Sequence, residues 1–139
     1  MRTAAGTTAA TVALASETRS EGVDPKRKLK VGFIGTGGRG TGAAAQALSA
    51  DDNVELYAMG DVFQEKIDKS LATLRKNENL ADKVNAPQKR QFVGLDAYKQ
   101  VIDSGVDVVI LTTTPGFRPL PVRAAVEAGK HVFAEKPMA

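Results

Sequence analysis

The stretch that decides the fold is Leu29 to Gly40, Leu-Lys-Val-Gly-Phe-Ile-Gly-Thr-Gly-Gly-Arg-Gly. Leu29, Val31, Phe33 and Ile34 give a short apolar strand that ends at Gly35. Gly35, Gly37 and Gly40 then fit G-x-G-x-x-G, and an Ala-rich segment from Gly40 to Ala50 follows with the composition of a helix packed closely on a sheet. Strand, glycine loop and helix in that order are the signature of a dinucleotide phosphate loop. Each glycine answers a different demand. Gly35 allows a tight turn, Gly37 lets the backbone approach a pyrophosphate, and Gly40 removes a Cβ that would hold the helix off the strand. Thr36, Gly38 and Arg39 complete the loop. The helix N-terminus behind it offers free N–H groups and a positive dipole end to an anion.

Outward from this loop the same alternation continues. Val54 to Met59 reads as a second strand, and Phe63, Ile67, Leu71 and Leu74 recur at helical spacing. Asn77 to Gln88 is polar and interrupted by Pro87, so it reads as a loop or a weak extra turn. Gln91 to Val93 is a short third strand, and Leu95, Tyr98, Val101 and Ile102 mark a third helix. Val106 to Leu111 reads as a β-branched strand buried on both faces. Thr112 to Pro119 is a Gly/Pro loop, Val122 to Val126 a helix closed by Gly129, and His131 to Ala134 a fifth strand. Such alternation predicts an α/β fold, a doubly wound parallel sheet of Rossmann type, reaching its fifth strand.

Composition narrows the chemistry. The 139 residues suit one domain. With no cysteine, disulfides, thiolate metal sites and cysteine nucleophiles are excluded. His131 is the sole histidine, so no histidine-based metal site is expected. The net charge of +3 is dispersed apart from Lys26-Arg27-Lys28, and no nucleic-acid partner is expected. No apolar run is long enough to span a bilayer. Residues 1–28 differ from the rest. Thr3 to Ala15 is nearly all Ala, Thr and Gly, and Ala13-Leu14-Ala15 fits a small-x-small cleavage site. This segment reads as a disordered tail or an export-signal remnant, and residues 29–139 as the dinucleotide-binding domain. The location expected is cytoplasmic for the chain as given. It is periplasmic by a twin-arginine route if the true N-terminus lies upstream of Met1.

Three further places carry chemistry. Asp61 lies twenty-one residues after Gly40, directly after the second strand. A carboxylate there accepts hydrogen bonds from the adenosine ribose and repels a 2′-phosphate, which favours NAD over NADP. The same residue also suits a turn before the next helix. Arg39 has two readings, a phosphate contact or a solvated side chain. After the fourth strand, Thr113, Thr114 and Pro115 stand where the nicotinamide-ribose side of a cofactor would lie, and Arg118 faces substrate or makes a structural ion pair. After the fifth strand, Glu135-Lys136-Pro137 brings a lysine able to hydrogen-bond a substrate hydroxyl and stabilise developing charge.

Gly35 to Gly40, Asp61, Ala128-Gly129-Lys130-His131-Val132 and Glu135-Lys136-Pro137 together resemble the Gfo/Idh/MocA oxidoreductases, from about Lys30 onward. The resemblance implies NAD or NADP as cofactor and a sugar, inositol or related polyol as substrate. It implies cofactor contacts along Gly35–Gly40, Asp61, Thr113–Pro115, Glu135 and Lys136, with Lys136 an assisting catalytic residue between nicotinamide and substrate. It also implies a C-terminal substrate domain, absent before Ala139, and homo-oligomers formed through that domain when full length. The chain is therefore expected to be a fragment that is inactive alone. One departure stands out. Many members carry Asn-His after the fourth strand, where this chain has Gly116-Phe117-Arg118, as in a bacterial subgroup whose members often carry export signals. Two other readings share the same cofactor half: an NAD-dependent glycosidase that oxidises a sugar transiently and returns the hydride, and an NAD-binding module without chemistry.

Overall fold

The computed structural model describes residues 24–138. Most of the N-terminal tail, including the export-signal reading of Thr3 to Ala15, lies outside the described residues. Five strands form one parallel sheet: β1 (Leu29–Ile34), β2 (Val54–Asp61), β3 (Gln91–Val93), β4 (Val108–Leu111) and β5 (His131–Ala134). Their spatial order is β3-β2-β1-β4-β5. Chain progression therefore reverses direction between β1 and β4. That boundary is the switch point at which open α/β sheets bind ligands.

Alternation along the strands, interrupted in β2 by a register shift opposite Val31/Gly32, decides which helices cover which face. Val31, Phe33, Leu56, Met59 and Ile110 pack with α1 (Gly38–Ala50), α2 (Gln64–Lys76) and Leu80 of the short α3 (Glu78–Ala81). On the other face Ile34, Ala58, Val109 and Leu111 meet Val101 and Ile102 of α4 (Ala97–Asp103) and Ala125 of α5 (Pro119–Glu127). The doubly wound expectation holds. The core is aliphatic, with Phe33 its one fully buried aromatic among the described residues.

Several boundaries differ from the sequence expectation, each for a local reason. Helix α1 begins at Gly38 and not Gly40, so the last three loop residues form its first turn. Strand β2 runs on to Asp61, because Asp61 pairs with Val93 of β3. The stretch Asn77 to Gln88 holds more than a loop. Asn77 caps α3 by accepting from the Asn79 N–H at 3.1 Å, Leu80 is buried, and Val84 bridges Leu56. Strand β4 starts at Val108, since Asp107 turns its carboxylate to the Lys30 N–H at 2.9 Å. Phe63 is half exposed, not part of the buried α2 face. It precedes the helix in extended conformation (φ −122°, ψ 125°), which takes its ring off the helical stripe. Leu95 likewise precedes α4 and is exposed. The Thr112–Pro119 loop contains one 3₁₀ turn, Pro115–Phe117, before α5 opens on Pro119. Proline is well suited to that first helical position, where its missing N–H costs nothing.

The closest packing occurs at Gly40. A Cβ there would lie 2.6 Å from Phe33 Cε2 and would also collide with the Gly35 carbonyl and the Thr112 hydroxyl. Two of these neighbours are backbone or hydrogen-bonded groups that cannot swing aside. Gly40→Ala is expected to destabilise the protein by about 2–3 kcal/mol, at the upper end of overpacking costs. Urea denaturation of the variant and the native protein measures it.

Candidate functional site

The exits of the strands are tied together in a ladder that continues beyond the regular sheet. The Gly35 N–H donates to the Gly60 carbonyl at 2.9 Å, Thr112 N–H to Ile34 at 3.0 Å and Glu135 N–H to Leu111 at 3.0 Å. The glycine loop, Asp61, the Thr112–Arg118 loop and Glu135 are thereby brought to one edge of the sheet. Gly35 turns at φ +89°, in the left-handed region that glycine enters freely. Its carbonyl accepts from the Thr112 Oγ1 hydroxyl at 2.6 Å, which pins the loop to the end of β4.

Asp61 belongs to the loop as much as to its own strand. Oδ2 accepts from the Thr36 N–H at 2.7 Å and from Thr36 Oγ1 at 3.0 Å, while Oδ1 accepts from the Phe63 N–H at 3.1 Å. Each carboxylate oxygen has two lone pairs, so Oδ1 keeps capacity for one more donor. The turn-forming reading of Asp61 is thus realised in the structure. Thr36 is buried, whereas Gly37, Gly38 and Arg39 are exposed. A Cβ at Gly37 or Gly38 would meet nothing within 4 Å. These two glycines leave open space in front of the α1 N-terminus, in contrast with the crowded Gly40.

A cleft of about 530 Å³ opens beside the loop. Gly35, Gly37 and Asp61 form one wall; Thr112, Thr113 and Thr114 form another. Most of the remaining wall is apolar. Val62, Phe63, Leu95, Phe117 and Leu120 line it while staying 44–66% exposed. Sequence periodicity had no reason to single these residues out as a group. The available signal was the recurrence of large apolar residues just after strand ends, where polar turn residues are usual. A largely apolar slot with the Asp61 carboxylate beside the glycine loop suits an adenosine diphosphate. The open space at Gly37 and the free helix N-terminus match a pyrophosphate, so the residues present fit a dinucleotide.

The other candidate residues lie beyond this cleft. Arg39 pairs with the Glu135 carboxylate, spanning from the glycine loop to the end of β5. The Arg39 hydrogen bond is the main reason the Glu135 carboxyl is held below the ordinary glutamate range. Burial opposes it, and the charges of Arg39, Arg118 and Lys136 add to the lowering. Glu135 in turn raises the Arg39 guanidinium, chiefly through the same hydrogen bond. Pro115 is exposed within its 3₁₀ turn, and Lys136 is exposed past β5, outside the cleft lining. Arg118 fits neither sequence reading. It is buried, and its guanidinium donates to backbone carbonyls of Thr113, Glu135 and Pro137 without pairing to any described carboxylate.

A parallel sheet of this strand order, with a glycine loop at the β1 exit and an acid at the β2 exit, defines a dinucleotide-binding Rossmann domain. The family model described as "Oxidoreductase family, NAD-binding Rossmann fold" matches residues 29–139. The chain therefore belongs to the Gfo/Idh/MocA family and forms part of its NAD-binding domain. A curated relative, a glycosyl hydrolase family 109 protein of Shewanella sp. (strain W3-18-1), is 33% identical over 113 residues, covering 80% of this chain and 23% of that protein. Among solved structures, scyllo-inositol dehydrogenase from Lactobacillus casei with bound NAD(H) and scyllo-inositol is 26% identical, with a TM-score of 0.58, over 81% of this chain and 29% of that one. The myo-inositol dehydrogenase of the same organism, in complex with NAD(H) and myo-inositol, shares the fold at 22% identity and a TM-score of 0.64. That match covers 81% of this chain and 29% of the other. The chain thus spans about a quarter of the length of the proteins it matches. Among the described residues, no helix is long and apolar enough to cross a membrane.

The Arg39–Glu135 pair carries a pH signature. A carboxyl depressed in the folded state stabilises fully above its unfolded pKa and loses that contribution as pH falls through the folded value. The stability difference between the native protein and Glu135→Gln is therefore expected to be constant near neutrality. It should shrink once pH drops below the ordinary glutamate value of 4.5. Thermal unfolding of both proteins from pH 7 to pH 3 checks the direction.

Proposed function

We propose that this chain is the cofactor half of an NAD-dependent oxidoreductase acting on a sugar, inositol or related polyol. The observation that carries the reading is Asp61. Its carboxylate stands at the β2 exit, bonded to Thr36 of the glycine loop, at the rim of the apolar cleft. From that place Oδ1 accepts a ribose hydroxyl, and the negative charge disfavours a 2′-phosphate, so NAD is preferred to NADP. The N–H groups of Gly37, Gly38 and Arg39 receive the pyrophosphate at the α1 N-terminus. Thr113, Thr114 and Pro115 take the nicotinamide-ribose side. The Glu135 carboxylate pairs with Arg39 beside the loop.

NAD, when bound, supplies the hydride acceptor. Lys136 Nζ would donate a hydrogen bond to the substrate hydroxyl oxygen and so lower the cost of negative charge developing on it. Residues 29–139 serve as the dinucleotide domain, and the whole protein adds a substrate domain through which copies associate. A second reading is favoured by the family 109 relatives: the same half in an NAD-dependent glycosidase. The two differ in bookkeeping. A dehydrogenase accumulates reduced nicotinamide in step with oxidised sugar, whereas the glycosidase releases aglycone with no net reduction.

Two expectations test the cofactor assignment in the full-length protein. Gly37→Val places a side chain in the open space before α1 and is expected to abolish NAD binding while circular dichroism stays native. Retained binding in a folded variant contradicts the loop assignment. Asp61→Asn keeps an acceptor for Thr36 but removes the charge. The NAD-over-NADP preference is expected to fall by roughly tenfold, or about 1.4 kcal/mol. Isothermal titration with both dinucleotides measures the ratio, and an unchanged ratio removes Asp61 from the ribose site.

A further inference from the structure

Arg118 is the one charged residue buried among the described residues, at 3% exposure. A buried cation is costly unless it is fully engaged. No described carboxylate pairs with it, and its Nε hydrogen has no partner. Its two terminal nitrogens go to main-chain oxygens instead. Nη2 donates to the Thr113 carbonyl, and Nη1 donates to the carbonyls of Glu135 and Pro137. The two residues held by Nη1 flank Lys136. The residue held by Nη2 lines the cleft at the β4 exit. One planar group thus bridges the segments leaving β4 and β5, which β-sheet hydrogen bonds no longer join after Glu135.

We propose that Arg118 is a positioning residue for the nicotinamide half of the site, fixing the Lys136 backbone relative to Thr113. The proposal rests on the NAD reading above. It predicts a division of labour along the cofactor. The adenosine and pyrophosphate are held by Asp61 and the glycine loop, which Arg118 does not touch. The nicotinamide riboside faces the two segments that Arg118 joins. A lysine does not replace it, because an ammonium is a compact point donor without the rigid fork that reaches separate carbonyls.

The experiment is isothermal titration of NAD and of ADP-ribose, which lacks the nicotinamide, against the full-length protein and its Arg118→Lys and Arg118→Ala variants. Both variants are expected to bind ADP-ribose as the native protein does. Both should lose roughly tenfold in NAD affinity relative to ADP-ribose. Retained ADP-ribose binding also reports that the fold is intact. Equal weakening of both ligands, or of neither, overturns the proposal. Failure of both variants to fold overturns it too, since Arg118 would then serve the core and not the site. A native protein that binds neither ligand removes the NAD reading itself, an outcome distinct from the others.

Discussion

Everything at the carboxyl edge of this sheet depends on how closely α1 approaches the exits of β1 and β4. Gly40 removes the Cβ that would strike Phe33, the Gly35 carbonyl and the Thr112 hydroxyl. The same contact zone contains the Thr112 hydroxyl bonded to the Gly35 carbonyl, so β4 and the glycine loop are fixed to one another at the switch point. Because the helix sits this low, its first turn begins inside the loop at Gly38. Its N-terminus then opens onto the cleft between Asp61 and Thr113. A helix held farther out by one methyl group would carry its dipole end away from the place where an anion must lie.

Charge is distributed along this edge with a consistent logic. Asp61, at the β2 side, pairs with no cation among the described residues and spends its oxygens on N–H and hydroxyl donors of Thr36 and Phe63. Toward β5 the order is reversed. Arg39, Arg118 and Lys136 gather around the single carboxylate of Glu135, whose acidity responds to all three. Between the two ends the wall is apolar, supplied by Val62, Phe63, Leu95 and Phe117. An amphipathic anion with a flat apolar base at one end is matched by this sequence of surfaces.

Much of this was legible because it is local. The short apolar runs of β1 and β2, the helical stripe of Ile67, Leu71 and Leu74, and the spacing from Gly40 to Asp61 depend only on near neighbours in sequence. What escaped depends on distant ones. The short α3 is too brief to announce itself by periodicity and is held by Leu80 in the core and by the Leu56–Val84 bridge. Strand β4 lost its first two residues because Asp107 answers the Lys30 N–H across the sheet. Phe63 and Leu95 matched the helical spacing. Phe63 is itself extended before α2, and Leu95 lies in the turn before α4; both line the cleft, and spacing cannot report that. Arg118 is the clearest case. Its partners are main-chain carbonyls, which every residue owns, so no side-chain pattern marks them.

The central claim is that Asp61, the glycine loop and the apolar cleft form one dinucleotide site. A crystal structure of the full-length protein grown with NAD tests it most directly. The account predicts the pyrophosphate against the N–H groups of Gly37 to Arg39, a ribose hydroxyl on Asp61 and the adenine between Phe63 and Leu95. NAD bound with its pyrophosphate away from the α1 N-terminus, or with its ribose turned away from Asp61, would contradict it.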